Sequence, residues 1–348
     1  MSTKYKSSAI TIPVEASVGT ILAHDITEIR PGQFKGPAFR KGHIVRDEDV
    51  PHLRRIGKEH LYVLRLEPGE VHEDDAALRL ATAFAGEGVC FDPHPSEGKI
   101  HLKAAHRGLL KINVDALTRI NLISDISCSA RHTHTVMEEG DIIAGVRAIP
   151  LVIDEEPLQM GEKIAIDAGG IFSVRPFLHP STGLVITGNE VFSGLIEDKF
   201  APIIRKKLEF FDCGIMGIEF APDNRDRIAM EIRKFLGNGA EMIVVAGGMS
   251  VDPDDMTRLA IADAGAEDIV YGAPVLPGAM FLYGRFGDIP ILGLPACVLF
   301  YRATVLDLIL PRVLAGERIT REDLAALAHG GLCLNCATCR YPVCPFGK

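Results

Sequence analysis

No apolar run in this 348-residue chain approaches the roughly 20 residues needed to cross a bilayer. The longest candidate, near Ile289 to Phe300, is interrupted by Pro290, Gly293 and Pro295. An excess of positive charge is missing too. Lys plus Arg number 37 against 46 Asp plus Glu, a formal net charge of −9. Nonspecific wrapping of nucleic acid needs a net positive surface and is therefore excluded as a main role. The N-terminus, Met1 to Lys6, is polar and lacks an apolar core of the kind that marks a secretory signal. No internal repeat or low-complexity tract is visible. These absences predict a soluble cytoplasmic protein. Apolar residues at 47% and charged residues at 24% are ordinary for a core-forming chain. The length suggests two or three domains.

The eight cysteines are unevenly spread. Cys90, Cys128, Cys213 and Cys297 stand singly, whereas Cys333, Cys336, Cys339 and Cys344 crowd the C-terminus. Without a secretion signal, that crowding favours a metal site over a disulfide framework. The spacing Cys-x2-Cys-x2-Cys-x4-Cys-Pro is close to a [4Fe–4S] loop, although the bacterial ferredoxin pattern has three residues in the last gap. Zinc and redox-active or unmetallated thiols are the other readings. Cys128 with His132 and His134 is a weaker metal candidate, since loop histidines are more often solvated.

Local patterns divide the chain into four stretches. Residues 1–75 read as a small β-rich module. It has a strand at Thr20–Ala23, a loop from Arg30 to Pro37, a polar helix over Asp47–Ile56 and a strand at His60–Leu64. Residues 76–180 form an accessory α+β region, with a helix carrying Ala76, Leu80 and Phe84, a strand at Gly108–Ile112 and a short helix from Val114. Residues 181–318 alternate strand and helix. Leu184–Thr187 reads as a buried strand and Met242–Ala246 is apolar throughout, as strands buried on both faces are. A helix spans about Leu195 to Phe211, and Asp223 is the expected cap of another that carries Ile228, Ile232 and Phe235. Alternation of this kind argues for a parallel sheet covered by helices, with ligands at the C-terminal strand ends. Residues 319–348 are a short helix and the cysteine-rich tail.

Two turns lie at such strand ends, Gly188-Asn189-Glu190 and Gly247-Gly248-Met249-Ser250. Glycines after a strand let backbone N–H groups approach a phosphate, and Asp255 ahead of the next helix suits a Mg²⁺ bridge. A helix-capping turn that happens to be acidic is the plainer reading.

The run Gly247-Gly248-Met249-Ser250-Val251-Asp252-Pro253-Asp254-Asp255-Met256-Thr257 resembles the GGxSxxxxDxT motif of the molybdopterin-binding domain. That domain is shared by molybdenum-cofactor adenylyltransferases and molybdenum insertases. Thr187-Gly188-Asn189-Glu190 is similar to the family's TGDE turn, Leu276-Pro277-Gly278-Ala279-Met280 stands in place of PGKP, and Gly293-Leu294-Pro295-Ala296 is similar to the start of GLPGNP. The resemblance covers Gly183 to Gly316. It implies a three-layer αβα domain with a mostly parallel sheet that binds molybdopterin or its adenylylated form. It further implies molybdate as a partner, other cofactor-biosynthesis proteins or a molybdoenzyme as possible contacts, and a homo-oligomer.

Carried over residue by residue, the resemblance assigns cofactor contact to Thr187, Gly188, Asn189, Gly247, Gly248, Met249, Ser250, Thr257, Pro277, Gly278, Gly293 and Pro295. It assigns Mg²⁺-linked catalytic roles to Asp255, Glu190 and Asp198, with Asp252 and Asp254 as further candidate ligands. The implied chemistry is a transferase reaction that inserts molybdate. The departures fall on positions that decide activity. Asn189 replaces an acid, Ala279 replaces a lysine, and Ala296, Cys297 and Val298 replace Gly, Asn and Pro. A non-catalytic cofactor carrier or sensor, or a nucleotide or nucleotide-amide hydrolase on the same fold, therefore stands beside the insertase reading.

Overall fold

The computed structural model describes residues 9–64, 66–250, 252–253 and 255–348. The polar start Met1–Lys6, together with Val251 and Asp254, lies outside the described residues. The chain forms two compact units, Met1–Arg175 and Pro176–Lys348. Among the described residues no helix is long and apolar enough to cross a membrane.

In the first unit, strands Ala9–Pro13 and His60–Leu64 pair antiparallel, and Ile26–Arg30 pairs with Phe34–Phe39. Val14, Leu22, Ile26, Phe39, Val45, Leu53 and Leu61 make a small core there. Two local expectations are corrected. The strand at Thr20–Ala23 shrinks to one antiparallel bridge, Ile21 with Ile44. The loop Arg30–Pro37 is the bend of a hairpin, with Arg30 ending one arm and Phe34–Pro37 beginning the other. Pro37 is tolerated in it because it lies next to a register shift in a two-stranded sheet, where its missing N–H interrupts little. The helices Glu73–Phe84, Val114–Asn121 and Glu155–Asp167 then accompany a four-stranded and a three-stranded antiparallel sheet around a second core.

The second unit is built on six strands: β1 (Thr182–Thr187), β2 (Ile215–Ala221), β3 (Met242–Ala246), β4 (Glu267–Tyr271), β5 (Leu282–Phe286) and β6 (Ile289–Leu294). Their order is β2-β1-β3-β6-β5-β4. The first four run parallel, and β5 and β4 are added antiparallel at one edge. Every residue of β1 and β3 is buried, which explains the apolar run Leu184–Ile186 and the wholly apolar β3; the threonines at the two ends of β1 are buried with them. The helices are α1 (Phe200–Glu209), α2 (Arg225–Gly237), α3 (Thr257–Asp263), α4 (Val305–Leu314) and α5 (Arg321–Ala326).

Ile228, Ile232 and Phe235 give α2 an apolar stripe, and Ala260 and Ile261 do the same for α3. Both pack on the sheet face that carries Val185, Ile243, Val245 and Ile291. Each such side chain stabilises the fold by about 1.5–3 kcal/mol relative to exposure. Leu184, Ile186, Val244 and Leu292 alternate to the other face and are equally buried. Helix α1 lies against β1 and β2 outside the first cluster, which completes a three-layer αβα arrangement.

Two local expectations change here, the cap at Asp223 and the place of Asp198 within the helix expected over Leu195–Phe211. Asn224, not Asp223, caps α2, accepting from Arg227 N at 3.0 Å. Asp198 does not lie on a helix. It precedes α1 and accepts from Phe200 N and Ala201 N at 2.8 and 3.1 Å. Two carboxylate oxygens so placed satisfy two of the amides that a helix start leaves open.

Candidate functional site

Parallel pairing of Ile186 with Ala246 and of Thr187 with Ala221 brings the ends of β1, β2 and β3 to one edge. The Gly247–Ser250 loop leaves that edge. Gly247 has φ +104°, and a Cβ there would stand 2.4 Å from Thr187 O. Gly248 has φ +58°, and its Cβ would meet Thr257 Oγ1 at 2.6 Å. Only glycine combines that conformation with that approach. Beneath the loop, Thr187 Oγ1 and Thr257 Oγ1 share a hydrogen bond of 3.1 Å, and both side chains are buried. These two threonines therefore support the loop from below.

The loop is closed on itself. Gly247 N donates to Leu294 O at 3.1 Å, and Thr257 N donates to Gly248 O at 3.2 Å. Ser250 N donates to Asp255 Oδ2 at 2.7 Å. Tyr271 Oη donates to Met249 O at 2.8 Å, and the Arg258 guanidinium lies 4.8 Å from the centre of the Tyr271 ring. Among the described residues, the N–H groups of Gly248 and Met249 meet no acceptor. Ser250 is exposed. The Met249 side chain instead points into the core, 3% exposed, where it packs over Gly293. Gly293 is thus a packing position: a Cβ on it would come within 2.8 Å of Met249 Cε.

The second turn carries an acid that sequence reasoning placed elsewhere. Asn189 N donates to Asp223 Oδ2 at 3.0 Å, and Asp223 N donates to Asn189 Oδ1 at 3.1 Å. Asp223 Oδ1 lies 3.5 Å from the place a Cβ on Gly248 would occupy. A carboxylate therefore stands beside the glycine loop although Asn189 itself is an amide. The legible signal was Ala221-Pro222-Asp223 at the end of a strand, on the same edge as the other two turns. Glu190 is exposed on the single helical turn Asn189–Phe192.

The remaining motif residues line up along the same end of the sheet. Leu282 pairs with Gly293, so the loop before β5 lies beside the end of β6. In that loop Pro277 O accepts from Val305 N at 3.2 Å, and Gly278 lies against the Val305 side chain. Pro295 starts the short 3-10 helix Ala296–Leu299, and burial raises the pKa of the half-buried Cys297 thiol above its ordinary value.

Among the described residues, no three His, Cys, Asp or Glu side chains stand together as a set able to hold a metal ion. Asp255, Glu190 and Asp198 are accordingly not a preformed cage. The four tail cysteines are not gathered tightly either, although all four line one cavity. Cys128 is buried in the strand Ile126–Ala130, where burial pushes its pKa up to about 12, and His134 Nε2 is engaged by Lys111 Nζ at 2.8 Å.

Residues 183–315 match the family model "Probable molybdopterin binding domain". This part of the chain belongs to the molybdopterin-binding domain family. Residues 11–65 match a second model, "Domain of unknown function (DUF8806)". Among curated proteins, a molybdenum cofactor biosynthesis bifunctional protein of Chlorobaculum tepidum is 28% identical over 88 residues. That stretch is 25% of this chain and 28% of the relative. A CinA-like protein of Fervidobacterium nodosum is 33% identical over 79 residues, 23% of this chain and 19% of that protein. The chain thus matches less than a third of either relative's length. Among solved structures, the molybdopterin biosynthesis enzyme MoaB of Thermus thermophilus is similar at 21% identity and a TM-score of 0.34, over 40% of this chain and 98% of that one. The molybdopterin-binding domain here accordingly comprises β1–β6 with α1–α4, and its motif loops all gather at one end of the sheet.

Proposed function

We propose that the second unit binds molybdopterin, free or adenylylated, at the edge formed by Gly247–Ser250 and Gly188–Glu190, within molybdenum-cofactor biosynthesis. The observation that carries this reading is the pair of amides on Gly248 and Met249 that meet no acceptor, in a loop whose Gly247 and Ser250 N–H groups and Gly248 and Met249 carbonyls are already engaged. Amides so fixed bind a phosphate without first having to be ordered. Arg258, held over the Tyr271 ring whose hydroxyl donates to Met249 O, is the cation we assign to the phosphate in place of the family's lysine, which Ala279 lacks.

Mg²⁺ fits the donor set. It keeps several waters and takes only one or two carboxylates beside phosphate oxygens. Asp255, Glu190 and Asp223 are the carboxylates from which its one or two protein ligands would come, and it would supply charge neutralisation at a pyrophosphate. Asp198 is committed to α1 and acts as a helix cap. The chain's own contribution is positioning: the loop fixes the phosphate end, and Asp255 fixes the loop.

The test is equilibrium gel filtration of the full chain with molybdopterin under anaerobic conditions, followed by oxidation and pterin fluorescence. Near-stoichiometric retention by wild type and none by Gly248→Ala is expected. Equal retention by both proteins would end this reading. Adding adenylylated molybdopterin, Mg²⁺ and molybdate then separates an insertase from a carrier. Release of adenylate with turnover marks the enzyme; retention without release marks the carrier, which Asn189 and Ala279 favour.

A further inference from the structure

The cysteine-bearing tail is outside the matched domain, yet it is fastened to the loops that border it. Leu276 N donates to Gly331 O and Cys333 N donates to Leu276 O, both at 2.8 Å. At the far end Gly347 N donates to Gly330 O at 2.9 Å, Phe346 is buried at 3% exposure, and Gly347 packs on Leu308. Midway, Tyr341 Oη donates to Asp307 O at 3.0 Å. Between these fastenings no helix or strand forms among the described residues after Ala326.

The four cysteines all line one cavity of about 330 Å³, whose opposite wall is Phe300–Ala303. That wall is itself held, because Lys207 Nζ donates to Arg302 O at 3.0 Å. Such a loop is pinned at its ends and open in its middle, with thiols as the shared chemistry of the opening. Thiolates select zinc or iron–sulfur centres. A tetrahedral zinc site, with Zn–S near 2.3 Å, needs its four sulfurs within about 4 Å of one another. No three of these thiols are gathered as a single ion requires. An iron–sulfur cube carries one thiolate on each of four irons, so its sulfurs stand further apart, and the Cys-x2-Cys-x2-Cys spacing with a final Cys-Pro suits it.

We propose that Cys333, Cys336, Cys339 and Cys344 ligate a [4Fe–4S] cluster, and that the cluster locks the tail against the 276–280 loop so that its loss weakens pterin binding. The path is short. Leu276 shares two backbone hydrogen bonds with the tail, and Pro277 shares one with Val305 at the start of α4, the helix whose Asp307 receives Tyr341. The second half of the proposal rests on the pterin reading above.

The full chain, expressed with iron supplementation and purified anaerobically, would be assayed for iron, acid-labile sulfide and zinc. About four irons and four sulfides per chain are expected, with a broad brown absorption. Cys336→Ser and Cys339→Ser should lose them, Cys90→Ser should keep them, and circular dichroism should show all three folded. One zinc per chain without sulfide, or four tail thiols that still titrate freely after iron and sulfide reconstitution, overturns the cluster. Molybdopterin affinity should fall about tenfold in Cys336→Ser. Equal affinity in the two proteins overturns the coupling. Gly248→Ala should lose pterin and keep full iron. A wild type with full iron and no pterin uptake would refute the pterin reading and the coupling while the cluster stands.

Discussion

The Gly247–Ser250 loop and the Cys333–Cys344 segment both carry backbone and side chains suited to a ligand, but they are prepared for it in opposite ways. In the glycine loop the surroundings already fix the backbone. Leu294, Asp255, Thr257 and Tyr271 each take one of its polar groups, and two buried threonines support it. In the tail, hydrogen bonds and a buried phenylalanine hold the two ends, and the thiols between them remain apart around a cavity. The first arrangement suits a ligand met as a finished molecule, because an ordered loop adds little ordering cost on binding. The second suits a centre assembled in place, whose binding energy completes the local structure.

The sharpest way to break this contrast is Gly247→Ala. A Cβ would stand 2.4 Å from a backbone carbonyl at φ +104°, so neither rotation nor a side-chain shift relieves it. We expect a loss of more than about 2 kcal/mol in urea unfolding, together with lost pterin retention. A loss below half that size would show that the loop is adaptable.

The next largest effect concerns the support of the tail. Arg312, buried in α4, donates to Asp323 at 2.5 Å and to Glu317 at 2.7 Å, which ties α5 and the tail's starting point to the core. Burial opposes ionisation of Asp323, yet hydrogen bonds from Arg312 and Thr320 outweigh it and hold its pKa to about 2. The folded value is below the unfolded one, so this contribution is fully present above pH 3.8 and is lost as pH falls through about 2. Asp323→Asn should cost about 2 kcal/mol at neutral pH and flatten the acid limb of the stability curve between those values. An unchanged acid limb would place the tail's support elsewhere.

Thr257→Val keeps the shape and removes the buried hydroxyl pair under the loop. A loss of about 1 kcal/mol is expected, with pterin affinity reduced but measurable. The smallest effect should come from Cys336→Ser in iron-free protein, within about 0.5 kcal/mol, because the side chain is exposed and nothing depends on it until a metal arrives. Thermal unfolding of iron-loaded wild type against the same variant should then separate the two proteins, since a ligand that binds only the folded form raises its apparent stability.

Much of the second unit was legible from pattern alone. Strands buried on both faces are largely apolar, and Leu184–Thr187 and Met242–Ala246 read that way. Glycines directly after them marked the sites of close backbone approach. The first unit was far less legible. Its pairings join Ala9–Pro13 to His60–Leu64 and Gly108–Ile112 to Phe172–Arg175, and short antiparallel strands this far apart leave little local periodicity. Gly36 and Pro37 punctuate like a loop, yet pairing with Ile26–Arg30 makes them strand.

The chain's order of residues by itself determined two of the buried strands of the sheet core (Leu184–Thr187 and Met242–Ala246), where the backbone needs glycine, and that four thiols lie within one short tail; Ile289–Leu294, broken by Pro290 and Gly293, became a core strand only through its pairing with Met242–Ala246. Tertiary structure alone decided their partners. Parallel register set Asn189 beside Asp223 and so placed an acid where the turn has an amide. Packing turned Met249 inward onto Gly293, and hydrogen bonding committed Asp198 to a helix end. The reason is the same in each case. Conformational preference is local and is written in neighbouring residues, whereas a hydrogen-bond partner is chosen by which strand ends the folded sheet brings to one edge.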